Sequence, residues 1–183
     1  STLHNTLFPY TTLFRSHPNL REDMLEFRRM LEGQAAEWAA ERATEADLTR
    51  LDQAFETLND AFTADDLERR SSADIAFHQA VGEASHNALV GHLSAALLRL
   101  MHDNIRLNLG ELKSIPAACS LLMRQHAAIH TAIRERKPQA ARAAAETHID
   151  FVRETLAQSL RSAARRETAA RRLNTEYSPS TFS

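Results

Sequence analysis

Apolar residues recur at steps of three and four along nearly the whole chain, starting close to residue 19. This period places them on one face of an α-helix, whereas a strand would alternate at every second position. A first helix is predicted over about residues 19–42, with this apolar stripe: Leu20, Met24, Phe27, Leu31, Ala35 and Trp38. A second helix is predicted after Thr44, where the sequence Thr-Glu-Ala-Asp is typical of a helix start. Its apolar stripe is Leu48, Leu51, Phe55, Leu58 and Phe62.

Four more helices are predicted downstream, separated by short breaks. The third covers about residues 65–84, with the inward positions Ile75, Phe77, His78 and Val81. Asn87 is a natural cap for the fourth, whose inward positions are Leu89, Leu93, Ala96, Leu97, Leu100, Met101 and Ile105. The fifth begins near Pro116, with Leu122, His126, Ile129 and Ile133 inward. The sixth opens at Lys137-Pro138, with Ala141, Ala144, His148, Phe151, Val152 and Leu156 inward. The predicted fold is all-α, an antiparallel bundle of six to seven helices.

The composition agrees with a single helical domain. The chain has 183 residues and only 4 Gly and 5 Pro. Its formal charge of -2 creates no field that would attract nucleic acid or an anionic membrane. The single cysteine, Cys119, excludes an intramolecular disulfide framework and a cysteine-rich zinc site. Since no apolar run is long enough to span a bilayer, we expect a cytoplasmic protein with no membrane partner.

The first residues differ from the rest of the chain. Residues 1–16 show no helical period, and their back-translation matches one frame of a widely used sequencing adapter. We interpret this segment as non-native and exclude it from the fold. The predicted organisation is therefore this segment, a helical domain over residues 17–160, and an Arg-rich helix end with a disordered tail over residues 161–183.

Four residues on or near the inward stripes have the chemistry of metal ligands: Asp74, His78, His126 and His148. Asp74 and His78 are four residues apart, so one helix face presents both. His126 and His148 are 22 residues apart across the Lys137-Pro138 turn, which lets two antiparallel helices bring both rings to one level. One carboxylate and three imidazoles suit a divalent transition metal. Ordinary core histidines are the alternative interpretation of the same spacing.

Two other combinations compete with this set. His126 and His130 form an i, i+4 pair, and Glu83 and His86 form the Glu-x-x-His step of di-iron bundles. A di-iron site needs a second such step, which we do not find in the sequence. His86 is expected at a helix break, and the histidines expected at the surface or at a pocket wall are His92 and His102.

Four motifs together resemble a known family, the C-terminal sensing domain of FadR-type regulators in the GntR superfamily. They occur in the family's order and spacing: Asp74-Ile-Ala-Phe-His78, Glu83-Ala-Ser-His-Asn87, Gln125-His126-Ala-Ala-Ile129 and Ala143-Ala-Ala-Glu-Thr-His148-Ile. The segment Leu25-Glu26-Phe-Arg28-Arg-Met-Leu31-Glu32 resembles that domain's first helix. The resemblance covers about residues 19–160.

The resemblance implies a helical bundle with a metal site in its core and a small carboxylate effector beside the metal. The metal would be divalent, with Zn as the first choice and Ni or Mn as alternatives, and its ligands would be Asp74, His78, His126 and His148. Arg28 and Arg106 are the candidate effector-binding residues, because a guanidinium pairs with a carboxylate through two hydrogen bonds. The lactate- and pyruvate-responsive members are the most similar, so the expected effector is a 2-hydroxy- or 2-keto-monocarboxylate.

The family's DNA-reading half is an N-terminal winged helix-turn-helix, and nothing in this sequence matches it. We therefore expect the sensing domain of a truncated regulator, which forms a homodimer through the first or fourth helix. Operator DNA would bind only through the missing half. The Arg-rich residues 161–172 are interpreted as a solvated helix end, with phosphate contact as the alternative.

No catalytic residue is predicted, and we expect the chain not to be an enzyme. One alternative is a metal-dependent hydrolase, but Glu146 and Asp150 lie off the face of His148 and offer no good general base. The other alternative is an interaction module with a structural metal. Protein ligands would close such a site, whereas a sensor needs open coordination positions.

Overall fold

Six helices account for most of the chain that the structure describes. The computed structural model describes residues 20–64, 66–102, 105–106, 109–110 and 116–176. The helices are α1 Leu20–Arg42, α2 Glu45–Thr63, α3 Leu67–Ala84, α4 Ala88–Leu100, α5 Pro116–Arg134 and α6 Pro138–Glu176. Residues 105–106 and 109–110, between α4 and α5, are also helical, and no strand occurs within the described ranges. The predicted all-α fold is confirmed.

Two predicted caps are present where the sequence placed them. The Thr44 side chain accepts a hydrogen bond from the Asp47 backbone N–H, and the Asp47 side chain accepts one from the Thr44 backbone N–H. This reciprocal pair satisfies donors that the first turn of a helix leaves unpaired. Asn87 caps α4 by accepting hydrogen bonds from the backbone of Leu89 and Val90, each at 3.1 Å.

The turn between α5 and α6 has only three residues. Arg136 adopts the left-handed conformation, with φ at 56°. The Lys137 backbone N–H donates to the Ala132 carbonyl at 2.9 Å, and the Arg136 N–H donates to the Ile133 carbonyl at 3.0 Å. These two bonds close a Schellman-type turn, which satisfies the last carbonyls of α5 before Pro138 begins α6.

Helices α1 and α6 run antiparallel along one side of the bundle. Their register is marked by three ion pairs: Glu22–Arg153 at 3.6 Å, Arg29–Asp150 at 3.0 Å and Glu37–Arg142 at 3.1 Å. A Cβ added at Gly33 would lie 2.9 Å from Cγ of Glu146, so a larger residue there would require the Glu146 side chain to move. Helix α2 packs on α3, α5 packs on α6, and α1 also contacts α3, α4 and α5.

The core consists of two apolar clusters. The first joins all six helices, and it contains a row of small residues on α1: Ala35, Ala36, Ala39 and Ala40. The second joins the start of α1 to α4, α5 and the residues between them, and its members are Met24, Leu25, Leu98, Met101, Ile105, Leu109 and Leu122. Truncation of a fully buried leucine such as Leu58 removes about 2–5 kcal/mol of stability.

The buried face of α1 differs from the predicted stripe. Phe27, predicted inward, is 40% exposed, whereas Arg28 and Glu32 are buried. The two charged side chains are four residues apart and form an ion pair with each other. Hydrophobic periodicity assigns charged residues to the surface, so it misses a face on which an ion pair is buried.

The buried face of α4 also differs from the prediction. Leu89 is 67% exposed, and Leu93 and Ala96 are exposed as well. The residues of α4 that are buried are Val90, Ser94 and Leu98. Apolar residues occur on most sides of this helix, so their period does not select one face. Leu89 and Leu93 therefore form part of the surface of the monomer.

Helix α6 runs to Glu176, which is past the fraying expected after about Arg172. The side chains of residues 164–172 are exposed. Residues 1–16 and the tail after residue 176 lie outside the described residues. Among the described helices, none combines the length and apolar character needed to cross a bilayer.

Candidate metal and effector site

Three histidines from three helices meet inside the bundle. His78 on α3, His126 on α5 and His148 on α6 are all buried. Each offers one ring nitrogen, and these three atoms lie within 4.8 Å of one another. The turn at Arg136 makes α5 and α6 antiparallel neighbours, which brings His126 and His148 to one level, with ring centroids 4.4 Å apart. Within the described residues, this is the one cluster of ligand-type side chains close enough to share an ion.

Asp74 joins the cluster from the turn of α3 before His78. Its Oδ1 lies 3.2 Å from Nε2 of His126, and Nε2 of His126 lies 3.3 Å from Nε2 of His78. Two ligand atoms that each bind a metal at about 2.1 Å stand about 2.9 to 3.4 Å apart, for octahedral to tetrahedral angles. The two measured separations fall in this interval. The structure thus brings the three predicted histidines together and places Asp74 in contact with His126.

A carboxylate that the sequence analysis missed orients His78. Glu32 on α1 is buried, and its Oε2 lies 2.9 Å from Nδ1 of His78. Burial raises the pKa of the Glu32 carboxyl, but the charges of Arg28 and His78 and their hydrogen bonds outweigh it and lower that pKa to about 2. The ionised carboxylate accepts a hydrogen bond from Nδ1–H. The Nε2 of His78 then presents its lone pair to Asp74 and His126.

The protonation states favour metal binding. Burial lowers the pKa of His126, although Asp74 opposes this shift, and burial together with the other two histidines and Arg28 lowers the pKa of His148 well below its usual value. Burial raises the pKa of Asp74, but a hydrogen bond from His126 and the charges of His78, His126 and Arg28 outweigh it and lower that pKa to about 2. Neutral imidazoles and an ionised carboxylate are the forms that bind metal ions.

Arg28 lies in the wall of a small cavity beside this cluster. Only 2% of the residue is exposed, its Nε donates to Glu32, and its Nη2 is buried with no partner among the described residues. The cavity has a volume of about 30 Å³, and Asp74 and His148 also line it. The remaining lining residues are apolar: Leu25, Met101, Ile105, Leu109, Leu122, Val152 and Leu156. Arg106 is half-buried and is not among the lining residues, although its neighbour Ile105 is.

The competing combinations from the sequence do not assemble within the described residues. His86 donates from Nε2 to Asp47 at 2.6 Å, and Glu83 is exposed on α3. Nε2 of His130 lies 2.7 Å from Oδ1 of Asp52, and the His130 ring stacks on Phe55. His92 bonds the carbonyl of its own helix, and His102 lines a second, more open cavity with Ser72, Ile75 and Arg99. A di-iron arrangement is therefore not formed.

A protein-family model described as the FCD domain matches residues 23–151. The chain belongs to the FCD domain family. The matched range contains all three histidines, Asp74, Arg28 and Glu32.

Similar proteins agree with this assignment. The FCD domain is 31% identical over 151 residues to the Glc operon transcriptional activator of Escherichia coli (strain K12), covering 81% of this chain and 59% of the activator. It is 31% identical over 152 residues to the Putative L-lactate dehydrogenase operon regulatory protein of the same strain, covering 83% and 57%. It also resembles the solved structure of Streptococcus agalactiae GntR, with a TM-score of 0.64 and 29% identity over 75% of this chain and 60% of that one.

These findings confirm the predicted resemblance to the sensing domain of GntR-type regulators. The chain spans less than two thirds of the length of each of these relatives. The first of these relatives is named a transcriptional activator and the second an operon regulatory protein, in agreement with the predicted family of regulators. On the geometry described above, the three buried histidines of this FCD domain could hold a metal ion.

The ring nitrogens that face one another support the fit of a metal to this FCD domain. Nδ1 of His78 donates to Glu32, so Nε2 of His78 presents its lone pair toward Nε2 of His126 at 3.3 Å, with Oδ1 of Asp74 at 3.2 Å from the same His126 atom. All these side chains are buried, so water does not separate the acceptor atoms. A cation placed between them would stabilise the arrangement.

Proposed function

We propose that this FCD domain is the ligand-sensing and dimerising part of a bacterial transcription regulator that works in the cytoplasm. It would bind a divalent metal ion through Asp74, His78, His126 and His148 and a small carboxylate effector beside the ion. The observation that supports this most is the convergence of three buried histidines, with Asp74 in contact with one of them, next to a cavity lined by Arg28, whose buried Nη2 has no partner among the described residues. A metal bound there supplies a Lewis-acidic centre that attracts and orients an oxygen anion.

The donor set indicates which metals suit the site. Three imidazoles and one carboxylate match Zn²⁺ first, and Ni²⁺ and Mn²⁺ are the alternatives. Imidazole suits Zn²⁺ and Ni²⁺, and a carboxylate ligand also admits Mn²⁺. The sulfur of Cys119 is not part of the cluster, so nothing selects a soft monovalent ion. An ion held by these four residues would keep open positions for solvent or for the effector.

The charge of the site favours a monocarboxylate as the effector. Glu32 and Asp74 are ionised, and among the described residues the compensating cation is Arg28, which pairs with Glu32 and acts on Asp74 through its charge, so with neutral histidines the protein contributes a net charge of -1. A divalent ion changes this to +1. One carboxylate then neutralises a buried site that would otherwise hold an uncompensated charge, which is costly. The unpartnered Nη2 of Arg28 is available to donate to that carboxylate.

The size of the cavity and one relative's name narrow the effector further. About 30 Å³ corresponds to roughly two or three water positions, because one water needs about 10–15 Å³. A ligand of a few non-hydrogen atoms therefore fits with the least adjustment. One relative is named for an L-lactate dehydrogenase operon, and lactate is a short 2-hydroxy-monocarboxylate. We propose a 2-hydroxy- or 2-keto-monocarboxylate for this chain. Arg28 is its principal partner, and Arg106 is a secondary candidate that would have to turn toward the cavity.

Effector binding would act by shifting helices against one another. Residues of α1, α3, α5 and α6 and of the segment after α4 line the cavity, so a ligand there contacts most of the bundle. A ligand shifts the equilibrium between two arrangements in proportion to its difference in affinity for them. We propose that the domain forms a homodimer through α1 and α4, where Phe27, Met30, Leu89 and Leu93 are exposed. The dimer would pass the shift to a winged-helix part that binds operator DNA.

Elemental analysis tests the metal site. The tag-free wild-type chain, His148→Ala and the control His92→Ala are dialysed and analysed side by side. His92 is exposed on α4 and bonds only its own helix within the described residues, so its loss leaves the cluster intact. We expect about one equivalent of Zn, Ni or Mn in the wild type and in His92→Ala, and none in His148→Ala. Equal metal in all three, or none in any, contradicts the proposed site.

A thermal-shift screen tests the effector class on the metal-loaded protein. L-lactate and pyruvate are compared with the corresponding amides, which have the same size but no carboxylate. We expect the acids to raise the melting temperature and the amides to have no effect, since a ligand that binds only the folded state stabilises it. Stabilisation that persists in Arg28→Met and Arg106→Ala would show that neither arginine holds the carboxylate. A metal that resists chelation and no response to any acid would indicate a structural metal instead.

A further inference from the structure

We propose that Glu32 is a positioning residue that couples metal binding at His78 to the orientation of Arg28. The inference rests on the proposed function, since it concerns how the metal site and the carboxylate site of that function communicate. The proposed function did not include Glu32, which belongs to neither site. The inference adds that binding at each site depends on binding at the other.

Glu32 contacts both sites through separate oxygen atoms. Its Oε1 accepts the hydrogen bond from Nε of Arg28, one turn earlier on α1. Its Oε2 accepts the bond from Nδ1 of His78 on α3, at 2.9 Å. Only 6% of Glu32 is exposed, so water does not compete for either oxygen. One buried carboxylate therefore links the guanidinium of α1 to the imidazole of α3.

The bond to His78 fixes how that ring faces the cluster. Because Nδ1 donates to Glu32, the lone pair of the neutral ring lies on Nε2, which faces Nε2 of His126 at 3.3 Å. A carboxylate behind a metal-binding histidine holds its orientation and increases its basicity. Without Glu32, the ring is free to turn and to change its tautomer.

The bond to Arg28 fixes the direction of the donors that remain free. The guanidinium is planar, so holding Nε determines where Nη2 points. Nη2 is buried without a partner among the described residues, and Arg28 lines the cavity with Asp74 and His148. A metal held by His78 would make Nδ1–H a stronger donor to Oε2 of Glu32, and the change in charge on that carboxylate would alter the hydrogen bond from Nε of Arg28 to Oε1. By linkage, any effect of the metal on Arg28 is matched by an effect of an Arg28 ligand on the metal.

The experiment uses Zn²⁺ alone as the probe and needs no effector. Metal-free wild type, Glu32→Gln and the control Glu37→Gln are titrated against a chromophoric chelator at fixed pH. Glu37 is on the same helix and pairs with Arg142, but it does not touch the cluster. Nitrogen-15 NMR spectra of each protein, before and after Zn²⁺, record the histidine ring nitrogens and the arginine Nε–H signals. The spectrum of Arg28→Lys identifies the Arg28 signal by its absence.

We expect Zn²⁺ to bind Glu32→Gln at least tenfold more weakly than wild type, within the roughly 10- to 100-fold range for outer partners of metal ligands. Glu37→Gln should bind like wild type. Zn²⁺ should move the Arg28 Nε–H signal of the wild type although Arg28 is no ligand, and this response should vanish in Glu32→Gln. The metal-free Glu32→Gln spectrum should also show a changed tautomer for His78, which a merely structural role of Glu32 would not produce.

The outcomes separate this inference from the function on which it rests. Failure of the wild type to bind Zn²⁺ overturns the metal site and the coupling together. Tight binding by both wild type and Glu32→Gln overturns the coupling and leaves the metal site standing. If Glu32→Gln does not fold, the wild-type spectra still decide the matter, because an Arg28 signal that does not move when Zn²⁺ saturates the site overturns the coupling.

Discussion

Two neighbouring arginines of α1 show how differently one side chain behaves inside the bundle and on its surface. Arg28 is 2% exposed and pairs with Glu32 next to the histidine cluster. Arg29, the next residue, has 39% of its side chain exposed and bonds Glu146 at 2.9 Å and Asp150 at 3.0 Å on α6. Both are bonded to carboxylates, so the number of bonds does not distinguish them.

What distinguishes the two arginines is access to water. A charge that loses its partner in the interior has no solvent to replace it, whereas a surface charge is rehydrated. The Arg29 contacts fix the register of α1 against α6 and are screened by salt. The contacts of Arg28 instead stabilise a charged pair in the interior of the bundle. Buried charged groups are typical of ligand-binding and catalytic sites, and a purely structural ion pair is the alternative explanation.

The largest expected effect is that of Arg28→Ala. It leaves the Glu32 carboxylate buried without a cation, so we expect a loss of about 3–5 kcal/mol in the free energy of unfolding of the metal-free protein. Urea denaturation followed by circular dichroism measures this loss. The double variant Arg28→Met, Glu32→Gln removes both charges and should recover part of it. A loss below about 1 kcal/mol would mean that Arg28 behaves like a surface residue.

Asp47→Ala is expected to lower the free energy of unfolding by an intermediate amount. The Asp47 carboxylate is buried, but water can reach some of its partners and replace their lost bonds. Asp47 closes the capping box with Thr44, while its other partners, His86 and Arg50, are exposed. Removal of a cap of this kind costs about 1–2 kcal/mol at neutral pH. Asp60→Ala, which changes an exposed residue of the same helix, is the control and should leave stability unchanged.

The Asp47 contribution should disappear in acid. Burial raises the pKa of Asp47, but the hydrogen bonds from Thr44, His86 and Arg50 outweigh it and leave the pKa below the ordinary value of 3.8. A carboxylate with a lowered pKa stabilises the fold above its unfolded pKa, and this stabilisation is lost as the pH falls. The stabilities of wild type and Asp47→Ala should therefore converge below the ordinary value. A difference in stability between the two proteins that stays constant as the pH falls below 3.8 would contradict the assigned contacts.

The smallest effect is expected for Arg29→Ala. The lost ion pairs with Glu146 and Asp150 lie at the surface, where solvent replaces them. We expect a change in stability smaller than that of either variant above, and one that shrinks further when the salt concentration rises. Urea denaturation at low and at high sodium chloride measures both. A loss as large as that of Arg28→Ala would remove the contrast between the two arginines.

Much of the fold could be predicted because short-range rules determine it. The helix-type periodicity, the Thr44 and Asn87 caps and the Lys137-Pro138 turn each depend on a few adjacent residues. The four candidate ligands could be chosen for a similar reason, because their positions on inward stripes fix the direction of their side chains. The structure places the three histidines together, with Asp74 against His126, and whether they bind a metal stays a prediction.

The missed features depend on contacts between distant segments. Glu32 is buried because His78, 46 residues later in the chain, and Arg28 both bond it, and only the pairing of α1 with α3 reveals this. The i, i+4 spacing of Arg28 and Glu32 was the available signal, but the same spacing is common on exposed helix faces. The face of α4 was assigned wrongly because Leu89 and Val90 are equally apolar, so only the packing of the bundle decides between them.

The three-residue turn at Arg136 has a consequence for the tolerance of this chain to insertions and deletions. Each residue of an α-helix advances the side-chain direction by about 100°. One residue added to or lost from that turn would shift α6 in phase or in height against α5, and His148 would no longer meet His126. The helices themselves would still form, and the alanine-rich face of α1 would still pack against its neighbours. A change of length at this exposed position would thus be silent in a circular dichroism spectrum and yet separate two of the site's nitrogen atoms.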